Sequence, residues 1–330
     1  MQIPDCTYTL EQCDVPEVRR VVLGEYRRFR QKCLSYLHGD ADTSVMNQVH
    51  GLAWHTAVYR TLNEARRIGP DRPVNGALWE LLTAGYANLM TLGIRRLVDK
   101  NPSTDSVWNV IAQIAKRPEL LRRENFVCYD GLPYDSAAAY RRYVKTLDLG
   151  SGGHAGWVTT TGPDAWGTSD LLHQSFDALA GYPAKRKRLD KVQPEILATL
   201  KAQLADNAVV AVCTMADKQV AHAERLAENS DAVPPVTYNT VQTALEKIVR
   251  VANFLSANFF NATTYGPIVP VPQYNVLEGL DQPWVRTANL PALHEHWHTI
   301  SKAMAQWAYN TEEGFVPPKR DRKIASTDEV

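Results

Sequence analysis

The strongest constraint on the fold is a helical spacing of apolar residues that recurs along most of the chain. Apolar side chains return every three or four residues, which is the spacing of one buried face of an α-helix. The longest such segments cover 14–37, 42–67, 75–100, 193–229 and 239–260. Strand-like alternation is nearly absent. The sequence therefore predicts an all-α fold.

Two of these segments carry specific expectations. Asp14 is a suitable N-cap for the first helix, with Pro16 near its first turn and Val18 on its apolar face. Segment 75–100 is the most apolar, with residues from Trp79 to Leu97 in helical register. We expect it to lie at the centre of the core.

Two regions depart from this pattern. Residues 149–169 are rich in Gly and Thr and predict a long loop insertion. This loop contains His154, but no nucleophile or phosphate-loop motif gives that residue a catalytic role. After residue 260 the chain becomes proline-interrupted and extended before a final helix. We predict a helical domain at 14–260 and an additional C-terminal part at 261–330 that packs on it. This part comprises the extended segment, the helix and a charged tail.

Charge and cysteine content exclude several classes of protein. Lys and Arg number 36, as do Asp and Glu, so no global basic field attracts nucleic acid, and an RNA site has to be local. The five cysteines form no CxxC pair, which argues against a zinc ribbon or a disulfide framework. The sequence has no signal-peptide pattern and no apolar stretch of about 20 residues. These features predict a cytoplasmic protein that binds no membrane.

The helical stretch "CTMADKQVAHAER" places three polar residues with chemical potential close together: Asp217, Lys218 and His222. Its core "MADKQVAHA" follows "ELLTAGYANLMTLGIRRLVDK" and "LLRRENFVCYDGLPYD" and precedes "ALEKIVRVANFLS". These segments, in this order, resemble the HEPN superfamily, and most closely its bacterial abortive-infection HEPN-like family. The resemblance extends from about residue 20 to residue 260.

This resemblance implies a HEPN-like helical bundle that acts in antiviral defence. Active HEPN ribonucleases cleave RNA without a metal ion, by attack of a ribose 2′-hydroxyl on the adjacent phosphate. On this resemblance we expect acid-base chemistry at His222, with Asp217 in an orienting role and Lys218 in contact with phosphate. A histidine with a near-neutral pKa suits that proton transfer. RNA is then the expected partner, and no cofactor is required.

One departure from the family pattern leaves the activity open. The expected motif arginine aligns best with position 216, which is Ala216, and neither neighbouring position carries an arginine. The chain is therefore either an unconventional or degenerate ribonuclease, or a non-catalytic module that binds RNA or a protein partner. Six residues of α-helix separate two side chains by about 9 Å and about 120°. A homodimer is expected because two copies can bring both sets of residues to one cleft.

A basic run and a linear motif provide further candidates. The run comprises Lys185, Arg186, Lys187 and Arg188. These side chains are candidate RNA contacts, and the alternative is an ordinary solvated surface. Segment 123–135 matches a linear motif of the family. Its Tyr129 and Tyr134 either stack on bases or pack against the helices.

A third interpretation is a zinc hydrolase. Its HExxH motif consists of His294, Glu295 and His298. On a helix this spacing puts two imidazoles on one face beside a carboxylate. A third ligand would have to come from Glu312 or Glu313. The favoured alternative is an amphipathic C-terminal helix with Trp297 and Met304 facing inward.

Overall fold

Helices form nearly all the regular structure of the protein. The computed structural model describes residues 6–68, 75–146, 159–221, 236–262, 268–269, 274–275, 277–279 and 287–305. Within these ranges there are eleven α-helices and no strand; the only β-type pairing is an isolated antiparallel bridge between Arg122 and Lys191. The predicted all-α fold is confirmed.

The helices are numbered in chain order. They are α1 (Arg20–His38), α2 (Val45–Ile68), α3 (Gly76–Leu97), α4 (Val107–Lys116), α5 (Arg123–Cys128), α6 (Ser136–Thr146), α7 (Trp166–Leu179), α8 (Pro194–Leu204), α9 (Asn207–Met215), α10 (Tyr238–Phe254) and α11 (Leu290–Ala305). Two of them continue into π-helical segments, α9 through Ala216–Ala221 and α10 through Leu255–Phe259.

Side-chain caps fix several helix starts. Asn75, Ser106 and Asp206 accept a hydrogen bond from a backbone N–H in the first turn of α3, α4 and α9. Thr237 forms a capping box with Thr240 at the start of α10. Such caps satisfy backbone donors that have no partner within the helix.

The predicted start of α1 is wrong. The helix begins at Arg20, after a short 3₁₀ turn at Glu17–Arg19. The carboxylate of Asp14 instead accepts hydrogen bonds from the backbone N–H of Tyr134 and from Arg188. Because Val18 lies in the 3₁₀ turn, off the apolar face of α1, it is exposed rather than buried.

Helix α10 lies at the centre of the bundle. It packs against α2, α3, α4, α8 and α9, while α1 packs on α2 and α4. Its inward side chains include Val241, Leu245 and Ile248, which recur at helical spacing and are buried. Helices α5 and α6 both pack on α7.

Helix α3 does not lie at the centre of the core as predicted. Only its C-terminal part is buried, through Met90, Ile94 and Leu97, and Gly93 lets α2 approach closely because a Cβ there would lie 2.6 Å from Leu52. The opposite face carries an exposed leucine stripe, which consists of Leu81, Leu82, Leu89 and Leu92. The helix is apolar on two faces, and α2, α9 and α10 cover only one of them.

The chain divides into two compact units, Met1–Gln273 and Tyr274–Val330. The predicted boundary at residue 260 stays a prediction. Among the described residues, no single helix combines the length and apolar content needed to cross a membrane. Two consecutive helical stretches reach the required length and apolar content only when they are counted together. They are Pro194–Leu204 and Asn207–Lys218, and a bend of 47° separates them.

Candidate functional site

The motif residues Asp217 and Lys218 lie in the π-helical segment that continues α9. Both side chains are exposed, whereas Ala216 beside them is fully buried where this segment packs against α3. Insertions of π-helix into α-helices are frequent at functional sites. His222 directly follows the segment but lies outside the described residues. The structure therefore places Asp217 and Lys218 together at the surface.

A guanidinium does lie beside this motif, although it comes from another helix. The Nε of Arg95, near the end of α3, donates to Oδ1 of Asp217 at 2.9 Å, and its Nη1 lies 3.2 Å from Oδ1 of Asp99. The side chains of Arg95 and Asp217 are 34% and 51% exposed. Because solvent reaches the pair, Arg95 is accessible to a ligand.

The pair borders a groove of about 580 Å³, named here the Arg95 groove, between the end of α3 and helices α4, α8 and α9. Lys100 and Lys201 add positive charge to its lining, and Trp108 provides an aromatic wall. The ammonium of Lys100 lies 4.5 Å from the centroid of the Trp108 ring. Cationic groups next to an aromatic ring are the features used to bind single-stranded nucleic acid.

The described residues that line the groove include no activated thiol. Cys213 lines it, but burial raises the pKa of this thiol to about 11, so the thiol stays protonated near neutral pH. Chemistry in the groove therefore falls to its guanidinium, ammonium and carboxylate groups.

The predicted basic run lies elsewhere, and two of its members are engaged in ion pairs. Arg186 donates to Asp177 and Asp170, and Arg188 donates to Asp14 and lies over the ring of Tyr134 at 4.1 Å. Lys185 and Lys187, the remaining members, have exposed side chains. The prediction that the run contacts RNA is not tested by these contacts, but its arginines have structural partners.

The 123–135 segment has a structural role. Arg123 is fully buried, with its Nη1 2.7 Å from Oδ1 of Asp177 and its Nε 3.0 Å from Oδ2 of Asp190. Its backbone N–H donates to the carbonyl of Asp190, which joins α5 to the chain after the basic run. Tyr134 packs edge-on against His173, and Tyr129 packs against Tyr26. Both tyrosine rings thus pack within the bundle.

The HExxH residues lie on α11. His294, Glu295 and His298 are exposed, and no group of three His, Cys, Asp or Glu side chains suited to a metal ion forms among the described residues. Glu312 and Glu313 lie outside the described residues. Trp297 is 73% exposed, so the prediction that it faces inward is wrong; the residues of α11 whose burial is described are exposed on all sides of the helix. The side chain of Met304 is not among those described.

Comparison with protein families identifies the chain. The sequence model of the family HEPN_AbiU2, described as AbiU2, matches residues 43–277. The chain belongs to this family. It is thus a member of a HEPN-like abortive-infection family of defence proteins, as its motifs indicated. No curated protein and no solved structure matches the chain significantly.

Sequence reasoning missed the residues that surround Asp217 in this HEPN_AbiU2 protein. Arg95 lies in the segment "GIRRLVDK" and is 122 positions from Asp217, and Lys201 lies on α8. The two adjacent arginines at the end of α3 could have indicated a cationic site, because adjacent side chains on a helix point in different directions and at least one of them had to lie off the buried face. Nothing in the spacing indicated which carboxylate Arg95 would contact.

Proposed function

We propose that this HEPN_AbiU2 protein acts on RNA at the Arg95 groove, as a metal-independent endoribonuclease or a derivative of one. The observation that carries this proposal is the Arg95–Asp217 pair, which borders the groove. Asp217 precedes His222 by five residues in the sequence. Arg95 takes the role of the motif arginine that Ala216 replaces. Asp217 holds the guanidinium, and Lys218 contacts phosphate nearby.

The proposed reaction breaks one P–O bond and forms another. The ribose 2′-oxygen bonds to the adjacent phosphorus, its proton passes to the imidazole of His222, and the bond from phosphorus to the 5′-oxygen breaks. The leaving 5′-oxygen takes up a proton from water, a 2′,3′-cyclic phosphate remains, and the imidazolium of His222 returns its proton to the solvent. Charge builds on the two non-bridging oxygens, where the planar guanidinium of Arg95 donates two hydrogen bonds.

The surroundings of Arg95 support this role. An exposed ion pair holds its partners weakly, so Arg95 can exchange a carboxylate for a phosphate at small cost. Lys100 and Lys201 lie along the same groove and attract neighbouring phosphates. When the Lys100 ammonium moves from the Trp108 ring to a phosphate, it leaves a ring face on which a base stacks. A single strand is the substrate that fits, since stacking on a side chain requires an unpaired base.

The second candidate is RNA binding without cleavage. The observation that favours it is the full burial of Ala216 at the position where the family pattern has its arginine. Under this alternative the Arg95 groove still holds the strand, and His222 has no catalytic role.

A cleavage assay tests the enzyme proposal. Purified wild-type chain is incubated with end-labelled single-stranded RNA in EDTA, beside His222→Ala and Arg95→Gln. The matched controls are His294→Ala and Arg67→Gln, because Arg67 also forms an exposed ion pair, with Glu64, but lies away from the groove. We expect cyclic-phosphate products from the wild type and both controls. Loss of a catalytic group costs about 10²-fold or more in rate.

Two results would reject cleavage at this site: no products from the wild type, or equal rates for His222→Ala and the wild type. In the first case, retained RNA binding that depends on Arg95 would establish the binding alternative.

We further propose that the active form is a homodimer joined through the exposed leucine stripe of α3. Leu81, Leu89 and Leu92 recur at helical spacing and lie on one side of the helix, and contiguous exposed apolar surface marks interaction sites. Arg95 is three residues beyond Leu92, so it borders the stripe. A two-fold contact along α3 would bring two Arg95–Asp217 pairs toward one cleft.

The mass in solution tests this dimer. We expect a dimer for the wild type and a monomer for Leu89→Glu/Leu92→Glu in sedimentation equilibrium, because buried charges oppose association. Leu171→Glu, at an exposed leucine of α7, is the control and should leave the dimer intact. A monomeric wild type, or a dimer in the double variant, would refute the proposed interface.

A further inference from the structure

A second cavity lies on the other side of α3. It has a volume of about 430 Å³ and is formed by α2, α3 and the first turns of α10. We name it the tyrosine cavity after Tyr59, Tyr86 and Tyr238, which line it. Nine residues along α3 separate Tyr86 from Arg95, which puts them about half a turn apart. The two sites share no lining residue.

The aromatic wall of the cavity consists of three tyrosine rings that pack against one another. The rings of Tyr59 and Tyr86 stack with centroids 4.0 Å apart and planes 3° apart. Tyr238 lies 5.5 Å from Tyr59, and the hydroxyl groups of these two residues are 2.8 Å apart. Tyr59 is buried, whereas Tyr238 is 52% exposed. The buried ring therefore supports a second ring that offers a face to a ligand.

Polar groups surround this aromatic face. Arg60 donates to Oε1 of Gln242 at 2.7 Å, which fixes the amide so that its NH₂ group remains available as a donor. The exposed amide of Asn63 also lines the cavity and has no hydrogen-bond partner among the described residues. Amide side chains offer a donor beside an acceptor, which matches the edge of a purine base. Arg60 retains further N–H donors that suit a phosphate.

We infer that the tyrosine cavity binds a purine nucleotide, with the base stacked on Tyr238, the base edge on Asn63 and Gln242, and the phosphate on Arg60. The volume lies in the usual range for small-ligand sites, so it holds one nucleotide rather than a folded partner. This site does not depend on RNA cleavage at the Arg95 groove.

The chemistry of the cavity is that of binding rather than catalysis. Desolvation and the hydrogen bond with Tyr59 raise the pKa of Tyr238 to about 12, and desolvation raises the pKa of Tyr86. Both phenols therefore stay neutral near pH 7, and neither serves as a base or a nucleophile there.

Calorimetric titration of the full chain with adenosine 5′-monophosphate tests the inference. We expect binding by the wild type and a loss of affinity of about 5- to 100-fold for Tyr238→Ala, the range typical of removing one stacked ring. Tyr238→Phe keeps the ring and should retain most of the affinity. Asn63→Ala should weaken binding without affecting the fold, since its side chain is exposed. Tyr140→Ala, at an exposed tyrosine of α6, is the control.

Two further titrations distinguish a free nucleotide from a base within RNA, and the tyrosine cavity from the Arg95 groove. If hexa-adenylate binds more tightly than the monophosphate, and Tyr238→Ala abolishes this difference, the cavity binds a base within an RNA strand. If hexa-adenylate binds equally or more weakly, the cavity binds a free nucleotide. Arg95→Gln should leave monophosphate affinity unchanged, so failure at one site is distinguishable from failure at the other. No binding of the monophosphate, or binding unaffected by Tyr238→Ala and Asn63→Ala, would overturn the inference.

Discussion

Arg123 and Arg95 each bridge two aspartates, yet their surroundings differ completely. Arg123 is fully buried, and its partners Asp177 and Asp190 are 18% and 14% exposed. Arg95 is 34% exposed, and its partner Asp217 is more exposed still. The same pair of residue types therefore occurs once inside the bundle and once at the edge of a groove.

Burial decides what each guanidinium can do. A buried charge is tolerated only while its partners remain, so Arg123 fixes α5, α7 and the chain after the basic run to one another. An exposed pair contributes little to stability and can exchange a partner. Only Arg95, of these two, is placed to contact a substrate phosphate. The comparison makes separate predictions for stability and for RNA binding.

The largest stability effect is expected for Arg123→Met. Removing this guanidinium leaves the carboxylate of Asp190 without an arginine partner and leaves Asp177 with Arg186 alone. The change should lower the free energy of unfolding by about 3–5 kcal/mol. Urea unfolding followed by circular dichroism measures it. Arg117→Met is the control, because Arg117 also bridges two carboxylates, those of Glu25 and Glu119, but at the surface. Equal losses in the two variants would contradict the distinction drawn from burial.

A smaller but clear destabilisation is expected for Ala216→Arg. The site is fully buried, so the larger side chain overpacks the contact with α3 at a cost of about 1–3 kcal/mol, to which burial of an additional charge adds. We expect a lower midpoint of thermal unfolding and no gain of RNA cleavage. Lys218→Arg, at the exposed neighbour, should leave the midpoint unchanged. A well-folded Ala216→Arg protein with increased cleavage would show that this position, rather than Arg95, supplies the guanidinium.

The smallest effect concerns pH. Burial lowers the pKa of His173, which lies beside Tyr134 and Arg123, so its folded state keeps the ring neutral. In the unfolded chain the ring titrates near about 6.5. Stability is therefore present above that pH and falls as the pH drops toward the pKa of the folded ring.

His173→Gln should reduce this loss of stability between pH 7 and pH 5. The comparison is made by urea unfolding at several pH values, with His294→Gln, at an exposed site, as the control. Burial also lowers the pKa of His38 and His50, so part of the pH dependence should remain. An unchanged slope in His173→Gln would mean that the buried ring does not contribute.

The sequence predicted what depends on local spacing. The helices, the order of the motifs and the inward face of α10 all follow from apolar periodicity, because that pattern is written within a single segment. The capping role of Asp14 was predicted wrongly, since this carboxylate finds partners at Tyr134 and Arg188 that lie more than a hundred residues away. Local propensity gives no information about such contacts.

The candidate site was predictable only in part. Asp217 and Lys218 could be identified from their motif, whereas Arg95 and Lys201 reach the same groove from other helices. The exposed half of α3 was missed for a related reason. An apolar spacing shows that a face avoids water, but it does not specify whether that face is covered within the chain or by a second copy.

The most direct test of the account is the salt dependence of RNA binding. Affinity for single-stranded RNA is measured by fluorescence anisotropy between 50 and 300 mM KCl, for the wild type, Arg95→Gln and Arg186→Gln. Since each phosphate contact releases counterions, loss of the Arg95 contact should reduce the slope of log K against log salt by about 0.7–1. Arg186→Gln should leave the slope unchanged, because Arg186, which also pairs with two aspartates, does not line the Arg95 groove. An unchanged slope for Arg95→Gln, or a reduced slope for Arg186→Gln alone, would contradict the assignment of the RNA site to the Arg95 groove.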